Sequence, residues 1–169
     1  FNQNKILNCI DTCWGCYNVV KAQIILMKEA LKDRSNTHFI ILTQACLPFK
    51  SFRYIKEYLD PNKSYFNMTP DEQVFPRCDP ALQYMPRDTL KKAGMGAILN
   101  RKHAELLIKN CNNMEFWFRD IKNSDEHAII SLLFYLRLEN ELVMTNNDAV
   151  DGVVMSQWPD QPGFKRFND

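Results

Sequence analysis

The sequence has no stretch of about 18 consecutive apolar residues, so no part of it reads as a bilayer-spanning helix. It has no excess of either charge. Lys and Arg number 21 against 20 Asp and Glu, a net +1, so no basic field draws the chain to nucleic acid or an anionic membrane. The glycine loops that cradle phosphates, GxGxxG and GxxxxGK followed by Ser or Thr, are missing. So is Asp-x-Asp, which would hold a divalent metal against a nucleotide diphosphate; Asp148 and Asp151 stand three apart. Cys13-x-x-Cys16 reads as half a zinc site or a redox pair. A structural zinc site needs a second pair, and no other CxxC or HxxxH occurs. The plainer reading of the six cysteines is small, half-buried thiols.

What is present suits one folded domain over residues 1–169. With 46% hydrophobic, 12% aromatic and 24% charged residues, the chain can bury a core and is neither a disordered tail nor a low-complexity linker. It opens on Phe1 rather than Met, which suggests a processed product or an excerpt. Asn62-Lys63-Ser64 and Asn67-Met68-Thr69 are glycan-acceptor triplets if the chain works in a secretory lumen.

Strands and helices alternate along the chain. Lys5 to Ile10 reads as a short strand, and Val20, Ile24, Met27 and Leu31 recur at helical spacing. His38 to Thr43 is a continuous apolar run of strand length. A helical pattern follows from Ser51 to Leu59, with Phe52, Ile55 and Leu59 on one side. Asp60 to Pro86 holds five of the eight prolines and no sustained periodicity, so it reads as a long loop with a task. Gly94 to Leu99 is a strand whose glycines permit close approach to its backbone. Asn100 caps a helix that places Ala104, Leu107 and Ile108 inward, and Ser124 is the expected cap of a helix through Ile129, Leu132, Leu133 and Leu136. The tail alternates weakly over Glu141 to Met144 and Val150 to Trp158, as edge strands do. This order argues an α/β sheet with ligands at the carboxyl ends of its strands.

The residues alone nominate few chemical groups. Gln44-Ala45-Cys46-Leu47-Pro48 leaves the most apolar strand at the end where α/β proteins place their sites. Cys46 with His38, His103 or His127 would make a nucleophilic pair, yet no local signature supports one. Ser124-Asp125-Glu126-His127 is sharper. Its acids either complement a helix dipole or supply a positioned general base. Trp14-Gly15 and Trp158-Pro159 offer ring faces that match sugar C–H faces, although core packing explains most tryptophans.

Read in order, four segments resemble one family. Trp14-Gly15, Ala22, Leu31-Lys32-Asp33 and Asn36 are similar to its first block, and Phe39 to Phe49 resembles FVLLSESCIPL. Ser51-Phe52 and Tyr58-Leu59 fit the block that follows. Leu99-Asn100-Arg101-Lys102-His103-Ala104 resembles LNRKLA, and Ser124-Asp125-Glu126-His127 resembles PDEHY. The family is that of the core-2/I-branching β-1,6-N-acetylglucosaminyltransferases, with its plant, viral and peptide O-xylosyltransferase relatives. Two departures stand out. Gln44-Ala45 replaces Glu-Ser, and Lys91 to Ala97 stands where the family often has RKGSQWF. Thirteen residues before Trp14 leave little room for the family's first strand, so an abbreviated amino-terminal part is expected.

The resemblance implies a GT-A-like, Rossmann-like central sheet flanked by helices. It implies inverting transfer from a UDP-sugar, UDP-GlcNAc or UDP-xylose, to a hydroxyl of a glycan or glycoprotein acceptor. It implies no metal and no other cofactor, and carries the role of catalytic base to Glu126. Lys165 and Arg166 are the candidates for meeting the charge on departing UDP, and Arg77, Lys91, Lys92 and Trp158 those for the acceptor. The segment from Asp60 to Pro86 is either an ordered connector packed over the core or a wall of the acceptor cleft with Arg77 pointing toward Glu126. Nucleic acid and membrane are not expected partners of this segment. The implied place is the Golgi lumen within a membrane-anchored parent, or the cytoplasm for a viral or bacterial relative. A different class remains open: a non-catalytic carbohydrate- or partner-binding module on the same fold.

Overall fold

The computed structural model describes residues 9–42, 46, 50–69 and 74–146. The elements are α1 (Asn18–Ala30), β1 (His38–Ile40), α2 (Phe52–Tyr58), β2 (Ser64–Met68), β3 (Ala93–Asn100), α3 (Arg101–Lys109), α4 (Cys111–Phe118), α5 (Ala128–Tyr135) and β4 (Leu142–Asn146). Among the described residues, four strands form one open sheet in the order β1-β3-β2-β4, flanked by helices, in keeping with a GT-A-like fold.

Register decides where a site can lie. β3 runs antiparallel to both β1 and β2, pairing Ile40 with Ile98 and Met68 with Ala93. β4 lies parallel to β2, pairing Met68 with Asn146. The carboxyl ends of β1, β2 and β4 therefore meet the amino end of β3 at a single sheet edge. Between the Phe66–Ala97 and Met68–Ala93 pairs, β2 advances two residues while β3 advances four. Gly94-Met95-Gly96 fills that bulge, a common use of glycine inside a strand.

Side chains alternate across the sheet, so one face of each strand enters the core. Phe39, Phe66, Ala97, Leu99 and Leu142 join Val20, Ile24 and Met27 of α1 and Ala104 and Leu107 of α3 in one buried cluster. Met114 and Phe118 of α4 and Ile129, Ile130, Leu132 and Leu133 of α5 complete it. α5 is apolar nearly all round and buried over six of its eight residues, as such a helix must be.

Several expectations from sequence need correction. The stretch from Asp60 to Pro86 contains β2, which is central in the sheet. Val74, Cys78, Ala81 and Met85 of that stretch are buried in the core, so the prolines order a packed connector. α4 has no counterpart in the sequence reading. α2 buries none of its residues, and Phe52 is 80% exposed. β1 ends at Ile40, short of the predicted Thr43; Thr43 lies outside the described residues, as do 5–8 of the first predicted strand. Cys9 and Ile10 are not in a strand. Ser124 caps nothing: a 3-10 turn, Ser124–Glu126, precedes α5, and the residue before that turn, Asn123, takes the left-handed conformation. The expected strand near Glu141 is β4, an edge strand.

Candidate active site

Glu126 sits on the turn between α4 and α5, held by local hydrogen bonds. Its amide donates to Asn123 O at 3.0 Å, and the His127 amide donates to Ser124 O at 3.1 Å. The turn faces the sheet edge at which three strands end. There Lys91 O accepts from His127 Nδ1–H at 2.9 Å and from the Ser131 hydroxyl at 3.3 Å, while the Lys91 amide donates to Ser131 Oγ at 2.9 Å. Lys92 O accepts from the Thr69 amide at 3.0 Å. The backbone entering β3 is thus clamped by α5 and His127 on one side and by the end of β2 on the other.

Two cations converge on one carboxylate. Arg77 Nη1 lies 3.2 Å and Lys92 Nζ 3.6 Å from Glu126 Oε2. Arg77 comes from the proline-rich connector, 49 residues from Glu126, and it does point at that carboxylate as expected. The three side chains are 37%, 16% and 27% exposed, so the cluster is partly desolvated yet open to a ligand. Lys91 contributes its backbone, and its ammonium lies 5.3 Å over the Phe134 ring. Lys165, Arg166 and Trp158 lie outside the described residues.

Burial sets the protonation of the neighbours. His127 has no exposed surface, and desolvation holds it below its usual pKa. Its Nδ1 must carry the proton, since the partner is a carbonyl, and Nε2 is buried with no hydrogen bond among the described residues. Asp125 is raised above its ordinary value by burial, with the charge of Glu126 adding to the effect. Adjacent carboxyls thus sit in different environments, and the one flanked by cations is Glu126.

The other histidines are engaged elsewhere. His103 joins Ser64 Oγ at 2.7 Å and Glu141 Oε2 at 3.1 Å, on the opposite edge of the sheet. The spacing resembles a hydrolase triad, but Ser64 is fully buried and its Oγ accepts from the Asn100 amide, so the array ties β2, β3, α3 and the turn entering β4 together. His38 Nε2 is 3.0 Å from Asp60 O. Cys13 and Cys16 form a disulfide rather than a thiol pair. Of the two glycan triplets, Asn62 is exposed, whereas Asn67 is 5% exposed and its Oδ1 accepts from the Thr145 hydroxyl. Trp14 is 77% exposed beside Lys122, a short way from the Glu126 turn. Among the described residues, no group of three or more His, Cys, Asp or Glu is placed to hold a metal ion.

What sequence reasoning missed is the support behind Glu126. The clamp of His127 and Ser131 on Lys91 has no local signal, because its partners are 36 and 40 residues apart. The contact of Gly15 with Asn123 had one, in the Trp-Gly pair and in an Asn preceding the acidic turn.

Comparison with known proteins gives a consistent result. A family model described as Branch, Core-2/I-Branching enzyme, matches residues 1–168. The chain is 28% identical over 172 residues to a protein named glycosyltransferase BC10 from Oryza sativa subsp. japonica. The match covers 84% of this chain and 42% of that protein, so the chain spans less than half the length of this relative.

Proposed function

The chain belongs to the Core-2/I-branching enzyme family, and we propose that it is a glycosyltransferase in which Glu126 is the general base. The observation that carries this reading is the Glu126 carboxylate at the edge where β1, β2 and β4 end, flanked by Arg77 and Lys92. In α/β proteins that edge is where ligands bind.

The reaction we propose is transfer of GlcNAc or xylose from a UDP-sugar to a glycan or glycoprotein hydroxyl, with inversion and without a metal. Glu126 takes the hydroxyl proton as the oxygen attacks the anomeric carbon from the face opposite the diphosphate. The bond between the anomeric carbon and the diphosphate oxygen breaks, and UDP leaves with the electron pair. UDP is already a good leaving group, so one base suffices. The charge that develops on UDP falls to Lys165 and Arg166, while Arg77, Lys92 and the Lys91 segment bind the acceptor, with Trp158 as a ring platform. The Cys13–Cys16 disulfide supports a working place in an oxidising secretory lumen such as the Golgi.

Glu126→Gln keeps the shape of the side chain and removes its basicity. With chelator present throughout, transfer by this variant is expected to fall by about 10²–10⁴-fold, the usual contribution of a positioned base, while UDP affinity is unchanged. Wild-type rates in Glu126→Gln would overturn the base assignment, and strict dependence on manganese the metal-free reading. Absence of both transfer and UDP binding in the wild-type chain would favour the binding module.

A further inference from the structure

The turn carrying Glu126 is fixed from behind by a contact between backbones. Gly15 adopts φ +73°, open to glycine and strained for other residues, and its carbonyl accepts from the Asn123 amide at 2.8 Å. Asn123 itself has φ 56°, a conformation that Asn tolerates better than most side chains. The approach is close: a Cβ on Gly15 would stand 2.5 Å from Asn123 Oδ1 and 3.5 Å from Lys122 Cγ. Asn123 Oδ1 is buried and has no hydrogen bond among the described residues, so what Asn123 supplies here is its backbone geometry. Its carbonyl then receives the Glu126 amide. The disulfide between Cys13 and Cys16 closes the Trp14-Gly15 loop just before α1, and Trp14 packs by the Lys122 ammonium at 5.2 Å.

We propose that Gly15 and Asn123 are positioning residues for Glu126: the disulfide-closed Trp14-Gly15 loop docks on the left-handed Asn123 and sets the orientation of the turn that presents the base. This rests on the reading of Glu126 as the base. Small misplacements of a reacting group are costly, so the effect should appear in kcat rather than in acceptor KM.

Gly15→Ala is expected to lower kcat about 10- to 100-fold at unchanged acceptor KM, and to add no loss in the Glu126→Gln background. Asn123→Gly, which keeps the left-handed backbone, should retain kcat within about twofold, whereas Asn123→Val should lose it as Gly15→Ala does. Amide hydrogen exchange supplies a readout independent of activity. In Gly15→Ala and Asn123→Val the Glu126 and His127 amides should exchange at least about tenfold faster than in wild type, with the amides of α3 and the second half of α5 unchanged. Wild-type kcat in Gly15→Ala, or unchanged exchange at Glu126 and His127, would overturn the proposal, as would equal losses in Asn123→Gly and Asn123→Val. If the wild-type chain transferred no sugar, the base assignment would fall, and the exchange rates would still decide the docking.

Discussion

Arg77 tests whether the cation cluster serves a ligand or only the fold. Its guanidinium is 37% exposed and 3.2 Å from Glu126 Oε2, and an ion pair of that exposure contributes about 0–1 kcal/mol to stability. The same guanidinium has donors left over for an acceptor sugar, and hydrogen bonds to charged groups are worth about 1.5–3 kcal/mol. Arg77→Met keeps the apolar stem and removes the charge. It should raise acceptor KM by about tenfold or more while leaving the denaturation midpoint nearly unmoved, measured by initial rates across acceptor concentration beside a urea titration. Unchanged KM would reduce Arg77 to a surface partner of Glu126. Lys92 is a less clean probe, because its backbone is also part of the joint between β2 and β3.

Among the elements, α3 shows a local signal agreeing with its tertiary role. Asn100 ends β3 and caps α3, its side chain accepting the His103 amide at 2.8 Å, and it is 1% exposed. Asn100→Ala removes the cap and should cost about 1 kcal/mol, within the range of 0.5–2 known for such positions. In urea this appears as a lower midpoint at unchanged slope, and Asn100→Asp should recover most of the loss. The helices α1 and α3 were legible because spacing of three and four residues and a cap are local properties. β2 was not, because Ser64 to Met68 lies among prolines and becomes a strand only by pairing with β3 and β4, far away in sequence. α4 was hidden since it follows α3 after the single residue Asn110, where one helical pattern runs into the next. At the candidate site, the Ser124 to His127 motif marks the turn on which Glu126 stands. The convergence of Arg77 and Lys92 on it is set by how the connector and β3 pack in three dimensions, which no local pattern encodes.

For the whole molecule the two buried histidines predict how stability responds to acid. His103 and His127 have no exposed surface, and burial lowers the pKa of each below its usual value of about 6.5. Glu141 and Lys102 face His103; Glu126, Arg77 and Lys92 surround His127. The carboxylates favour protonation, but desolvation outweighs them at both sites. At His127 a second proton would also sit on Nε2, which is buried with no partner among the described residues. Both rings are therefore neutral in the fold. Above about pH 6.5 they are neutral in the unfolded chain too, and their contribution to stability is complete. As pH falls below 6.5 the unfolded chain takes up protons that the fold refuses, so stability declines from there down to the lowered folded values. Each histidine contributes a slope of at most about 1.4 kcal/mol per pH unit. Lower still, in the carboxylate range, Glu141 adds a further loss because Lys102 holds it below its usual value, while Asp125, raised by burial, works in the opposite sense. Urea denaturation at steps from pH 8 to pH 5 should show a plateau above about pH 6.5 and a decline beneath it. His127→Gln should lower the plateau and flatten the decline by roughly half, since one of the two titrating rings is gone. A stability curve that is flat from pH 7 to pH 5 would mean that at least one ring accepts its proton inside the fold, and would place an unrecognised partner against His127 Nε2 or loosen the Ser64–His103–Glu141 array.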